Sequence, residues 1–285
     1  MEENLLVSIL MTAYNREHYI REAIESVLVS TYKNWELIII DDCSKDKTVQ
    51  IAGEYAKGDA RIKIYENKKN LGDYPNRNYA ASLANGEFII YVDSDDKILS
   101  NGISNLVKCM NSFPLASFGM YSRLSGAPFV LNSTAAIHEH FFKKPFLMMG
   151  PGGTIQRLSF FREVNGYPEK YGPANDMYYN LKVCCYSEIV LLPFEFMWYR
   201  RHAGQEINNT TSYLHNTYLY LKDAIAELPL PLNDSQKAWI IKKNKRRFAV
   251  NLIKVFATSL DVSKIRSACA KSKFTFFDFL EGIFH

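Results

Sequence analysis

Hydrophobic and polar positions alternate between two rhythms along the first hundred residues. Residues 7–13, 35–41, 62–65 and 88–92 are short apolar runs rich in β-branched side chains, each the length of a buried strand. The stretches between them follow a helical period. Residues 19–30 put Ile20, Ala23, Ile24, Val27 and Leu28 on one face, and residues 46–57 do the same with Val49, Ala52 and Ala56, ahead of Gly58 as a stop. A third helix over residues 75–84 is closed by Asn85-Gly86. Four strands joined by three helices predict right-handed βαβ units around a parallel sheet. Residues 99–204 are less regular, with Gly and Pro scattered through them, and suit long loops carried on a scaffold. From about Tyr213 the pattern is helical to the end, interrupted at Pro229-Leu230-Pro231.

In parallel sheets of this kind ligands bind beyond the carboxyl ends of the strands, where loops and helix N-termini converge. There the sequence places Thr12-Ala13-Tyr14-Asn15, then Asp41-Asp42, then Asp93-Ser94-Asp95-Asp96. Three carboxylates within four residues repel one another, and a cation relieves that repulsion; Mg²⁺ or Mn²⁺ suits hard oxygen ligands with positions left for water and phosphate. The same residues could also serve as a helix N-cap ahead of Lys97-Ile98-Leu99. Tyr14 offers an aromatic face for a base, Asp41 or Asp42 can accept from an imide or ribose hydroxyl, and Arg77 provides a cation for phosphate. Each has a plain alternative: a core tyrosine, a capped turn, a solvated helix face.

Composition narrows the field. At 285 residues and 47% hydrophobic, the chain has room for one large α/β core with an appendage. Lys and Arg number 34 against 30 Asp and Glu, a balance that demands no nucleic-acid partner. The five cysteines include no Cys-x-x-Cys pair, the first residues lack an export signal, and no apolar run reaches the roughly 18–20 residues of a spanning helix, so a cytoplasmic protein is expected.

The ordered motifs resemble the inverting family 2 glycosyltransferases. The likeness covers about residues 5–205: the strand ending in Thr12-Ala13-Tyr14-Asn15, where the family usually has Pro-x-Tyr-Asn; Ala23-Ile24-Glu25-Ser26-Val27-Leu28; Trp35 through Asp46; Asn70-Leu71-Gly72 with Arg77-Asn78; and Ala84-Asn85-Gly86 through Asp96. It implies an α/β GT-A fold, a Rossmann-like mostly parallel sheet flanked by helices with a helical C-terminal segment. Residues 1–212 would form the catalytic domain, 1–98 binding the nucleotide sugar and 99–212 the acceptor, with 213–285 as an extension. Thr12, Ala13, Tyr14, Asp41, Arg77, Asp93 and Ser94 would surround the nucleotide of a donor, a UDP-sugar in the family's habit. Asp95 and Asp96 would hold Mn²⁺ or Mg²⁺.

Inversion needs a carboxylate to take the acceptor's proton. Asp176, in Ala174-Asn175-Asp176-Met177, aligns with the family's base, with Asn175 where Glu is usual. Tyr199-Arg200-Arg201-His202-Ala203-Gly204 resembles the family's Tyr-Arg-x-His-x-Gly segment, which implies diphosphate contacts for Arg200, Arg201 and His202 and a metal contact for His202. His138-Glu139-His140 matches no motif and is expected to be structural, and Gly150-Pro151-Gly152-Gly153-Thr154 lacks the ending of a phosphate loop. The implied role is transfer of a sugar to a glycan or lipid-linked acceptor in surface polysaccharide synthesis. A sugar-nucleotide nucleotidyltransferase and a non-catalytic glycan-binding relative are the competing classes. Residues 235–260 hold seven cations and no acid among aromatic and aliphatic side chains. That segment packs on the core, lies on the inner face of an anionic membrane, or pairs two copies into a homodimer.

Overall fold

The computed structural model describes residues 5–124, 126–202, 205 and 210–284. The chain folds into two compact units: residues 1–132, 148–167 and 186–201 form the first, and residues 133–147, 168–185 and 202–285 the second.

The first unit is built on an eight-stranded sheet. In chain order its first elements are β1 (Val7–Ala13), α1 (Ile20–Leu28), β2 (Trp35–Asp41), α2 (Thr48–Gly58), β3 (Ile62–Glu66), α3 (Asp73–Ser82) and β4 (Phe88–Tyr91). Strands run β3-β2-β1-β4 in parallel register, with Ala13 opposite Asp41 and Val7 opposite Phe88. Strand β2 is buried at every residue, which explains its near-continuous apolar sequence. Ile20, Ala23, Ile24 and Val27 of α1 are fully covered and pack with Val7, Ile9, Met11, Leu37, Ile39 and Ile90 in one core. The hydrophobic period thus marked the face of α1 that is buried.

Beyond β4 come β5 (Lys97–Ile98), α4 (Gly102–Asn111), β6 (Phe118–Tyr121) and β7 (Phe129–Leu131). The sheet is completed by β8 (Thr154–Arg157) and β9 (Ile189–Leu192) in the order β4-β8-β6-β9-β7, with β8 antiparallel to both its neighbours. Residues 99–204 therefore hold far more regular structure than loops on a scaffold. These strands of three or four residues lie among scattered Gly and Pro, and pairing from β4 through β8, β6 and β9 to β7 reveals them. The short α6 (Leu158–Glu163) follows β8, and β10 (Met197–Trp198) pairs antiparallel with β5.

At the amino ends of the strands a polar clasp holds β1, β2 and β4 together. Ser8 Oγ donates to Glu36 Oε1 at 2.7 Å, and the same carboxylate accepts from Asn85 N at 2.7 Å. Gly86 N donates to Ser8 Oγ at 2.8 Å. A Cβ on Gly86 would meet Ser8 N at 2.6 Å and Leu6 O at 2.7 Å, so the turn into β4 accepts only glycine.

The second unit is helical. It contains α5 (Ser133–Phe142), α7 (Asn175–Tyr186) up to Cys185, α8 (Thr210–Glu227), α9 (Asp234–Ser259), α10 (Val262–Ser272) and α11 (Phe276–Phe284). Its aromatic core stacks Tyr218 on Phe248 at 4.8 Å, with Phe274 edge-on to both. His140 is buried, and its Nδ1 accepts from the backbone N–H of Phe146 and of Leu147, each at 3.1 Å. Burial lowers its pKa to about 4, with Arg247 acting in the same direction, so it is a neutral structural histidine. Among the described residues no helix is long and apolar enough to cross a membrane.

Candidate active site at the carboxyl edge of the sheet

Parallel strands β1, β2 and β4 end side by side, so the residues that follow them meet at one rim. Asp42 N donates to Ala13 O at 2.7 Å, and Ser94 Oγ donates to Thr12 O at 2.8 Å, fastening the loops after β2 and β4 to the end of β1. The loops after β1 and β2 are laced to each other: Asn15 N donates to Ser44 Oγ and Lys45 N to Asn15 Oδ1, both at 2.8 Å. Both loops turn through left-handed residues, Asn15 at φ 52° and Cys43 at φ 69°. Asparagine tolerates that region; cysteine does so at a cost, which the lacing sustains.

The two aspartates after β2 are used differently. Asp42 accepts from Asn67 Nδ2 and Leu71 N at 2.8 Å and from Gly72 N at 2.9 Å, so its carboxylate is spent ordering the 67–72 loop. Asp41 accepts from Ser44 N through Oδ2 at 2.8 Å, while its buried Oδ1 has no partner among the described residues. A buried carboxylate oxygen left open is costly unless a ligand donates to it. Tyr14, 46% exposed, stands on the same rim.

At the end of β4 the carboxylates of Asp93, Asp95 and Asp96 are each held by a cation or a backbone donor. Asp93 Oδ1 pairs with Arg77 Nη1 at 2.8 Å, and Arg77 Nε donates to Asp73 Oδ1 at 2.7 Å. Arg77 is itself buried above the Tyr91 ring, so this guanidinium orients Asp93. Asp95 Oδ2 accepts from Arg16 Nε at 3.1 Å. Asp96 Oδ1 accepts from Arg200 N at 2.9 Å. Burial, then the neighbouring Asp93 and Asp95 charges, push the Asp96 carboxyl up to about 7, with the Arg200 N–H pulling the other way. Arg200 is a strap: its Nε donates to Asp95 O at 2.9 Å, its Nη2 pairs with Glu22 at 3.0 Å, and its guanidinium lies 5.1 Å from the Tyr19 ring and 4.9 Å from the Trp198 ring. Arg201 beside it is exposed.

Two further expected residues belong to the second unit. Asp176 lies in the first turn of α7, buried, with Oδ1 accepting from Met177 N at 2.7 Å. Asn175 is buried beside it and its Oδ1 accepts from Tyr171 N at 2.9 Å, closing the turn that starts α7. Asparagine at this position thus has a structural use. His202 N donates to Gln205 Oε1 at 3.0 Å; Ala203 and Gly204 of the same motif lie outside the described residues.

Sequence reasoning did not anticipate Arg16, Glu22 or Asp73. Arg16 directly follows the Tyr14-Asn15 pair, and Asp73 precedes Arg77 by one helical turn, a spacing that favours an ion pair. Glu22 carried no signal, because its partner Arg200 is 178 residues away.

Among the described residues no three His, Cys, Asp or Glu side chains form a closed metal cage. What the rim provides is an open set: an acidic run at the end of β4, an unfilled carboxylate oxygen on Asp41 and an aromatic face on Tyr14. Such a rim can accept hydrogen bonds from a nucleoside and present hard oxygens to a cation.

The fold is that of a glycosyltransferase of the GT-A type. The chain belongs to Glycosyl transferase family 2, whose family model matches residues 8–150. Over 108 residues it is 42% identical to the Escherichia coli UDP-Glc:alpha-D-GlcNAc-diphosphoundecaprenol beta-1,3-glucosyltransferase WfgD, a match covering 38% of this chain and 42% of WfgD. Over 121 residues it is 36% identical to the putative teichuronic acid biosynthesis glycosyltransferase TuaG of Bacillus subtilis, covering 42% of this chain and 48% of TuaG. The chain thus spans less than half the length of these relatives. The S. aureus TarS 1–349 structure in complex with UDP superposes with a TM-score of 0.70 at 20% identity, covering 97% of this chain and 80% of that one. The mannosyltransferase PcManGT from Pyrobaculum calidifontis, in complex with GDP-Man and Mn²⁺, superposes at 0.63 with 13% identity, covering 95% of this chain and 87% of that one.

Proposed function

We propose that this glycosyltransferase takes a UDP-sugar as donor and, with inversion at the anomeric carbon, transfers the sugar to a hydroxyl of a glycan or lipid-linked acceptor in surface polysaccharide synthesis. The observation that carries this reading is the Asp93, Asp95 and Asp96 run at the end of β4, beside the open Oδ1 of Asp41. Asp41 accepts a hydrogen bond from the nucleoside, Tyr14 lends its ring to the base, and Thr12 and Ala13 form the floor beneath. Arg77 and Ser94 hold the acidic run in place, through Asp93 and through Thr12.

The donor set fits Mg²⁺ or Mn²⁺, which keep several waters and bind through one or two carboxylates plus phosphate oxygens. Asp96, raised to about 7 by burial and its acidic neighbours, is a group whose ionised form a cation would favour. Asp95 and Asp96 would hold the ion, with His202 as a further contact, and the bound ion would supply positive charge to the departing diphosphate. Arg201 and His202 add cationic and hydrogen-bonding groups for the same phosphates. Asp176 removes the acceptor's proton as the acceptor oxygen bonds to the anomeric carbon and the bond from that carbon to the diphosphate oxygen breaks. WfgD, by its name, uses UDP-Glc and a diphosphoundecaprenol-linked sugar, and TarS binds UDP-GlcNAc; both support this choice of substrates.

The test is Asp176→Asn. Sugar transfer is expected to fall by about 10²–10⁴-fold, while calorimetric UDP binding in Mn²⁺ stays that of the wild type. Retained turnover would remove Asp176 from the mechanism. A wild-type chain that binds no nucleotide sugar in Mn²⁺ would overturn the donor assignment as a whole.

A further inference from the structure

The C-terminal helices carry an exposed surface that sugar transfer does not call for. Helix α9 buries Ile240, Asn244, Phe248 and Leu252, four residues apart, against the unit's core. A neighbouring stripe of the same helix runs through Lys242, Arg246, Ala249, Ile253 and Phe256, spaced by three or four residues, with Leu260 just past the helix end. Helix α11 sits across the middle of that stripe. A Cβ on Gly282 would lie 2.9 Å from Lys245 C and O and 3.1 Å from Arg246 N, and Ala249 is fully buried. Past that crossing the stripe is uncovered: Ile253 is 47%, Phe256 46% and Leu260 74% exposed.

Helix α11 turns Gly282 inward and packs Phe279 and Ile283 against the core. Its outer face therefore carries Phe276, Phe277 and Phe284, which are 70%, 81% and 73% exposed. Because α11 rests on the stripe, its outer face and the uncovered end of the stripe look out from the same side of the helical unit. Lys242, Arg246 and Lys273, all exposed, border this side.

We propose that this face docks on an anionic lipid bilayer, with the phenylalanines seated at the acyl boundary and the cations against lipid phosphates. Charge decides the occupant. Residues 213–285 hold twelve Lys and Arg against six Asp and Glu, an excess larger than the net +4 of the whole chain. Four of those six acids are already engaged, Asp223 and Glu227 by Lys170 and Asp278 and Glu281 by Lys245. Two copies meeting through this face would bring cation against cation, whereas an anionic surface attracts each exposed Lys and Arg. The phenylalanines also project as a ridge from the outer face of α11. Aromatic rings on such a ridge suit shallow insertion among headgroups. This inference is independent of the donor site, since a chain that bound vesicles and no nucleotide sugar would leave it standing.

Flotation of the full chain with phosphatidylglycerol vesicles, and separately with phosphatidylcholine vesicles, tests it. Binding is expected to the anionic vesicles alone, weakening as salt is raised. Phe276→Ser combined with Phe277→Ser should lower vesicle affinity by at least about tenfold with an unchanged thermal transition, because both side chains are at the surface. Phe284→Ser provides a second variant of the same face. No flotation with anionic vesicles, or undiminished flotation of these variants, would overturn the proposal. So would a dimer by light scattering that the paired substitution dissociates while vesicles are ignored, which would assign the face to a second copy.

Discussion

Asp96 holds a local conflict of charge, a carboxylate 2% exposed with Asp93 and Asp95 close by. In the folded chain its pKa lies near 7, against 3.8 ordinarily, so the fold binds this proton more tightly than the unfolded chain does. The stability from that protonation is fully present below the ordinary value and is lost as pH rises through about 7. In divalent-free buffer Asp96→Asn should therefore stabilise the protein by roughly 2–4 kcal/mol at pH 8 and by almost nothing near pH 4, since Asn keeps an oxygen to accept from Arg200 N. Thermal melts at the two pH values check this; equal shifts at both would show that charge is not the cause. The acidic run itself was plain from spacing along one strand end. The cations that hold it were not, because Arg16 and Arg200 lie 79 and 105 residues from the Asp95 atoms they bond.

At the scale of elements, the docking of α11 on α9 turns on the absence of one side chain. Gly282 faces the α9 backbone at a distance no Cβ accepts. Gly282→Ala should push the helices apart and cost about 1–3 kcal/mol, as overpacking does in other close interfaces. Protease cleavage within residues 273–284 should then speed up, and an unchanged cleavage rate would show that α11 adjusts without strain. The start of α9 was fixed more locally. Asn233 accepts from Gln236 N while Gln236 Oε1 accepts from Asn233 N, each at 2.9 Å, a capping box that follows Pro231 by two residues. Local chemistry of that kind can be recognised along the chain, whereas the fit of one helix against another cannot.

For the whole molecule, ligand binding to the folded state alone raises stability by mass action. UDP with Mn²⁺ at about a hundredfold its dissociation constant should add about 2.7 kcal/mol, and Asp95→Asn should abolish the Mn²⁺-dependent part. Scanning fluorimetry would show it, and identical shifts with and without Mn²⁺ would remove Asp95 from metal binding. The sequence alone determined the α/β class, the four parallel strands with their three helices, and the concentration of acid at one edge. All of these follow from strand-length apolar runs, the 3.6-residue helical period and the rule that parallel strands end together. Tertiary structure decided the rest. It showed that β6, β7, β8 and β9 extend the sheet, because which short runs pair is set by contacts between distant residues. It separated Asp41, with an open oxygen, from Asp42, spent on a loop. It also grouped α7 with the C-terminal helices, through contacts such as Tyr178 Oη donating to Glu227 at 2.8 Å. Each of these depends on which distant residues meet, and pairing across a hundred residues leaves no local mark on the chain.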